Sequence, residues 1–222
     1  MKKSFQTGNV IFVSTAHLLH DIYSSFFAPL LPLLIEKLGM SYFMVGTLSV
    51  VQRLPSLLNP IIGLIADRIS VRYFLIIAPA ITTIAMSLLG VAPSVIVLGV
   101  LLFMMGVGST LFHVPAPVFV RFLSGPHVGR GMSFYMLGGE LARTLGPLVI
   151  LGAVSLWGLE GTYKLIPFGL LASFLLFLRF RRVQVPKPDY QTTKLKIPRE
   201  LVHFFLVIFA FTFFRSIYVE TI

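Results

Sequence analysis

Apolar residues along this chain gather into runs of twenty or more positions, parted by short polar stretches, and seven such runs follow one another: Val10–Leu34, Met44–Ala66, Tyr73–Val91, Ser94–Phe122, Gly131–Leu156, Tyr163–Phe180 and Leu201–Ile222. A helix of about 20 residues crosses a hydrocarbon core of roughly 30 Å. Lipid offers no partner for a free amide, so a run of this length satisfies its own backbone as a helix. Transmembrane strands would read as segments of about 10 residues alternating apolar with polar, and no such pattern is present. The expected fold is all-α, a polytopic membrane helical bundle.

Composition strengthens this picture: 56% of the residues are hydrophobic and 12% charged, against roughly 45–50% and about 25% in a soluble domain. The start, MKKSF, is similar to the basic opening of a signal peptide. The apolar stretch behind it is too long, and no small-residue cleavage site follows, so a retained first span is expected. The absence of cysteine excludes disulfides and thiolate metal sites.

The formal charge of +10 would suit a nucleic-acid partner if the basic residues formed a patch. They do not. Thirteen of the 18, Lys2, Lys3, Arg68, Arg72, Arg121, Arg130, Arg179, Arg181, Arg182, Lys187, Lys194, Lys196 and Arg199, share the side of the N-terminus. Lys37 and Lys164 lie on the other side. By the positive-inside rule the N-terminus is cytoplasmic, in a cytoplasmic (inner) membrane, and no nucleic acid is called for.

The polar segment 181–200, RRVQVPKPDYQTTKLKIPRE, carries three prolines and charges of both signs and reads as a cytoplasmic basic linker. It divides a six-span bundle, 1–180, from a seventh span, 201–222. Two six-helix repeats build one large class of transporters. The chain therefore reads as a first repeat plus the start of a second, with the missing C-terminal half as its partner. Retinal proteins and heptahelical receptors fit poorly. The seventh run holds Arg215 but no lysine for a Schiff base, and receptors usually keep the N-terminus outside.

Leaving aside the histidines and the basic residues already assigned to a face, six charged residues fall within the runs: Asp21, Arg53, Glu140, Arg143, Arg215 and Glu220. Such groups are costly at membrane depth and mark functional sites by default. Counted at about 1.5 Å per residue, Asp21, Arg53, Glu140, Arg143 and Arg215 all lie roughly 15–21 Å from the cytoplasmic side, near the midplane. His17 and His113 are shallower. On the first span Ser14, His17, His20, Asp21 and Ser24 form one polar stripe, and on the second Ser49, Gln52, Ser56, Asn59 and Gly63 follow similar spacing, with Arg53 at the margin. These stripes, with His113 on the fourth span and Gly139, Glu140 and Arg143 on the fifth, are expected to line one aqueous cavity.

Plainer roles compete with these. Glu140 and Arg143, three apart, suit a structural ion pair, and His20 suits a packing role. His17, Asp21 and His113 carry metal-ligating atoms, but spacing alone supports that reading, and no metal or other cofactor is expected. No phosphate loop, zinc-spaced cluster or nucleophile elbow points to an enzyme.

The connection GLIADRISVRY, 63–73, closely resembles the second-to-third-span motif of the major facilitator superfamily, G-x-L-a-D-R-x-G-R-K: Gly63, Asp67, Arg68 and Arg72 match, while Ser70 and Val71 depart. The resemblance implies a cytoplasmic gating role for these residues. Within the superfamily the chain is similar to fosmidomycin-resistance type efflux proteins through HLLHD (17–21), GSTLFHVPA (108–116) and GGELARTLGPL (138–148). Those relatives often carry an acid after the fourth-span histidine and proline, where Val114, Pro115 and Ala116 stand here. Gly146-Pro147 is a partial match to the glycine-proline element of drug/proton antiporters. The expectation is a secondary transporter exporting a small, anionic or zwitterionic organic compound against protons. Asp21, Glu140 and Arg143 would couple the proton, and His17, His20, Gln52, Arg53, His113 and Arg215 would line the substrate cavity. An uptake symporter for a nutrient, or a fragment that transports nothing, are the alternatives.

Overall fold

The computed structural model describes residues 4–68 and 72–181, apart from the side chains of 66–68 and 72, together with His203, Leu206, Val207, Ala210 and Phe211. Two compact units, Met1–Lys187 and Pro188–Ile222, divide the chain. In the second, the described residues are helical and exposed. The expected linker beyond Arg181, with Arg215 and Glu220, lies outside the described residues, as do the side chains of Asp67, Arg68 and Arg72.

The described residues of the first unit form helices joined by short turns, and six of its helical stretches are long and apolar enough to cross a membrane. They run Thr7–Leu38, Tyr42–Ile65, Tyr73–Val91, Val95–Ser124, Val128–Trp157 and Glu160–Phe180. The expected spans agree in number and order over this region, with ends that differ by a few residues. Periodicity did not show that several stretches are broken within themselves. The first comprises α1 (Thr7–Ser24) and α2 (Phe27–Leu38). At the joint, the hydroxyls of Ser24 and Ser25 donate to the carbonyls of Asp21 and Ile22. Such local bonds compete with the helical ladder. Pro29, moreover, has no N–H to give Ser25.

The second stretch comprises α3 (Tyr42–Arg53), a five-residue 3-10 segment Leu54–Leu58, and α4 (Asn59–Arg68). Pro55 and Pro60 remove two ladder donors there. The third is α5 (Arg72–Ser87), followed by a 3-10 turn, Leu89–Val91. The fourth divides into α6 (Val95–His113) and α7 (Pro115–Ser124), because Pro115 and Pro117 offer no N–H to the carbonyls of Leu111 and His113. His113 thereby ends α6. The fifth is a single helix, α8 (Val128–Trp157), and the sixth is α9 (Ile166–Phe180), entered through a 3-10 segment, Glu160–Leu165.

Lipid tails are as apolar as leucine, so burial from water does not hold such helices together; close van der Waals packing does, and small residues permit it. The most extensive packing is of α1 on α8. A Cβ on Gly138 would strike the Ser14 carbonyl oxygen, and one on Gly139 would strike the His17 ring. The segment GGELARTLGPL therefore works as a contact surface for α1. Helix α5 packs against both α6 and α9, and α3 against α6.

Two apolar cores result. One gathers Phe26, Leu30, Leu34, Met86, Leu98, Leu102 and Ile150. The other gathers Val10, Val13, Leu75, Phe112, Phe119, Tyr135 and Phe180. On α1 the change from one core to the other falls between Ala16 and Ile22. His17, His20 and Asp21 occupy that seam.

Candidate functional site

The seam is built from three elements. Helix α1 supplies His17, His20 and Asp21, the proline-enforced end of α6 supplies His113, and α8 supplies Tyr135. His17 Nε2 lies 3.1 Å from Asp21 Oδ2, across one turn of α1. From the other side, His113 Nε2 lies 3.1 Å from Asp21 Oδ1, within ion-pair range but out of line for a hydrogen bond. The second ring nitrogen of His17, Nδ1, is 2.7 Å from the backbone carbonyl oxygen of Tyr135. The His17 ring also stacks on the Tyr135 ring, with centroids 3.9 Å apart and planes 11° from parallel. Three contacts therefore hold one imidazole: a carboxylate, a carbonyl and an aromatic face. Gly139 makes room for it, since any side chain there would occupy the ring's place.

His20 stacks on Phe112 at 4.4 Å and stands edge-on to His113 at 5.4 Å. It is buried, and neither of its ring nitrogens has a hydrogen-bond partner. An unpaired buried donor costs about 1–3 kcal/mol. The Tyr135 hydroxyl is likewise buried and unpaired. Burial is graded across the cluster: His17 is nearly closed off at 6% side-chain exposure, Asp21 keeps 20%, and His113 reaches 37%. The ligating atoms of His17, Asp21 and His113 all lie within 4.8 Å of one another, a donor set that a cation would fit.

The remaining expected residues are placed differently. Glu140 and Arg143 on α8 pair with each other at 3.1 Å, and both side chains are largely exposed, at 56% and 75%. The cluster around Asp21 does not include them. Gln52 is half-buried and Arg53 exposed at the end of α3. Of the serines on the two stripes, Ser14, Ser24, Ser49 and Ser56 turn their hydroxyls onto carbonyls of their own helices. On the opposite end of the bundle, Lys37 donates to the Gly90 carbonyl and to Glu160, both at 2.8 Å, and fastens α2 to the two 3-10 segments there.

Sequence reasoning passed over Tyr135 and Phe112. The one signal for Tyr135 is its position four residues before Gly139, on the face that packs against α1.

The description of a protein family, the Major Facilitator Superfamily, matches residues 13–222. The chain belongs to this superfamily. Among curated proteins it is 27% identical over 165 residues to the fosmidomycin resistance protein of Escherichia coli (strain K12), a match covering 74% of this chain and 41% of that protein. It is 23% identical over 141 residues to the uncharacterized MFS-type transporter YfnC of Bacillus subtilis (strain 168), covering 63% of this chain and 34% of the relative. The chain thus spans less than half the length of the curated relatives it matches. Superfamily membership accords with the all-helical bundle and with the reading of 63–73 as a superfamily motif. It makes this an integral membrane protein and leaves no place for an enzymatic reading.

Proposed function

We propose that the chain forms the first six-helix repeat, with the start of a second, of a secondary active transporter that exports a small organic compound in exchange for protons by alternating access. The observation that carries this reading is the cluster of His17, Asp21 and His113, placed in the seam between two apolar cores of a superfamily member. Buried ionisable groups of this kind mark ion and substrate paths. Asp21 is the carboxylate that loads and releases the proton. His113, the most exposed of the three, stands at the entry.

Glu140 and Arg143 take a second part in this scheme. Their pairing on the exposed face of α8 lets Arg143 exchange its partner for an anionic or zwitterionic substrate. Gln52, Arg53 and His20 complete the substrate path within the first unit; Arg215, expected beside them, lies outside the described residues. The face that α3 and α8 leave open is covered by a second bundle, against which the first rocks. Gly63, Asp67, Arg68 and Arg72 act at the cytoplasmic gate between α4 and α5, in keeping with the superfamily motif they match. The N-terminus is cytoplasmic, in the inner membrane. The name of the Escherichia coli relative supports export of a drug-like compound.

The test is proton-coupled flux of the whole transporter in vesicles under an imposed pH gradient. Asp21→Asn is expected to abolish gradient-driven flux while retaining substrate exchange, and normal coupling in that variant removes Asp21 from the mechanism. Uptake rather than export remains a reading of the same site, and the sign of accumulation in a knockout separates the two.

A further inference from the structure

The spacing of His17, Asp21 and His113 along the chain carries no metal reading by itself; their surroundings in the fold do. Glu140 and Glu160 each pair with a permanent cation, Arg143 and Lys37. Asp21 instead lies between two imidazoles, His17 from its own helix and His113 from the end of α6. An imidazole is not a fixed charge, and a carboxylate at membrane depth is costly without a cation beside it. One carboxylate oxygen, Oδ1, is buried and has no hydrogen-bond partner.

The setting of His17 decides which atom it presents to Asp21. A backbone carbonyl only accepts, so the 2.7 Å contact from Nδ1 to the Tyr135 oxygen places the hydrogen of the neutral ring on Nδ1 and leaves a lone pair on Nε2. That lone pair faces Asp21 at 3.1 Å. An imidazole held through one nitrogen by a carbonyl, with the other nitrogen turned to a carboxylate, is how outer contacts orient metal ligands. The Tyr135 ring stacked on it sets the plane, and Gly139 leaves it room. His113 is placed independently, by the prolines that end α6.

We infer that His17, Asp21 and His113 form a binding site for one divalent transition-metal cation of the zinc type, which joins α1 to the end of α6. Ligands of a tetrahedral zinc ion stand about 2.0–2.2 Å from the metal, hence about 3.3 Å from one another. Each imidazole here brings Nε2 to 3.1 Å from a carboxylate oxygen, and the ligating atoms of all three residues lie within 4.8 Å of one another. Small side-chain rotations close such a set. Two imidazoles and one carboxylate suit zinc and its neighbours in the series. Calcium takes about 6–8 oxygen ligands and magnesium a near-octahedral oxygen shell, and the three side chains offer neither. Three protein ligands leave a fourth position for water.

The site goes beyond the proton-coupled reading and does not depend on it. Only its effect on transport rests on that reading: a metal ion on Asp21 occupies the carboxylate proposed to load the proton, so zinc is expected to inhibit gradient-driven flux.

The experiment titrates the whole transporter with Zn2+ alone, by calorimetry in lipid nanodiscs, without an added histidine tag and against empty nanodiscs. The expected result is one Zn2+ bound per chain and not displaced by excess Mg2+ or Ca2+. His17→Gln, Asp21→Asn and His113→Gln are each expected to weaken binding by at least the roughly 10–100-fold that loss of an outer contact costs. His127→Gln, outside the cluster, is expected to leave it unchanged. Gly139→Ala keeps all three ligands but drives a methyl group into the His17 ring, and is expected to weaken binding as well. X-ray absorption of the zinc-loaded parent needs no variant to fold, and is expected to show two imidazoles and oxygen around four-coordinate zinc. Absence of saturable binding, an all-oxygen shell, or affinity retained in the three ligand variants overturns the inference. If zinc binds as expected and gradient-driven flux is untouched, the metal site stands and Asp21 leaves the coupling scheme. If flux is coupled through Asp21 and zinc does not bind, the metal site falls and the transport reading stands.

Discussion

At the scale of single residues, contrast with the surroundings decided what could be read in advance. His17, Asp21 and His113 stand out because ionisable side chains are rare in apolar runs, and the structure brings those three together. Tyr135 and Phe112 gave no such contrast: an aromatic ring in a hydrophobic run looks like any other filler until its partner is known. Spacing set Glu140, with Arg143 three residues on, apart from Asp21 as a candidate ion pair, and their settings do differ. The Glu140–Arg143 pair is exposed on one helix, and pairs of that kind contribute about 1 kcal/mol or less. Glu140→Gln and Arg143→Gln are therefore expected to leave the unfolding transition in detergent close to that of the parent. On the proposed function, both lower flux. A large loss of stability in either variant would mark the pair as structural and remove it from the substrate path.

At the scale of elements, helix existence was legible and helix interruption was not. Hydropathy over some twenty residues averages across a break, so the fourth span reads as one run even though Pro115 and Pro117 divide it at Val114. The division matters, because it leaves His113 at a helix end beside Asp21. The contact surface of α8 was legible only as a motif, without its reason. Gly138 abuts the backbone of Ser14 and Leu18, which cannot move aside as a side chain would. Gly138→Val must drive α1 and α8 apart, at an expected cost of about 1–3 kcal/mol. The His17 contact to Tyr135 should loosen with it. Gly152, on the same helix, has open space around its Cβ position. Gly152→Ala is accordingly expected to leave thermal unfolding unchanged or slightly improved. Equal losses for the two variants would show that the α1–α8 contact is not the reason for Gly138.

At the scale of the whole molecule, the proposed orientation rests on charge asymmetry, and a chain without cysteine lends itself to checking it. His127→Cys, between α7 and α8, is expected to react with an impermeant thiol reagent only from the cytoplasmic side, and Glu160→Cys, beside Lys37, only from the opposite side. The reverse labelling would invert the topology and, with it, the side from which His113 admits a proton. The 3-10 segment Leu54–Leu58 also bears on what the molecule presents to its surroundings. Each of its five residues advances about 120° and 2.0 Å, against 100° and 1.5 Å in an α-helix. Across it the chain gains roughly 2.5 Å in length and turns about 100° too far. A helical wheel drawn straight through the second span thus misplaces everything after Leu58 by about a quarter revolution. Ser49 and Gln52 look one way; Asn59 and Gly63 are swung toward another azimuth. Two prolines have, in effect, rotated the C-terminal end of that span like the offset blade of a key.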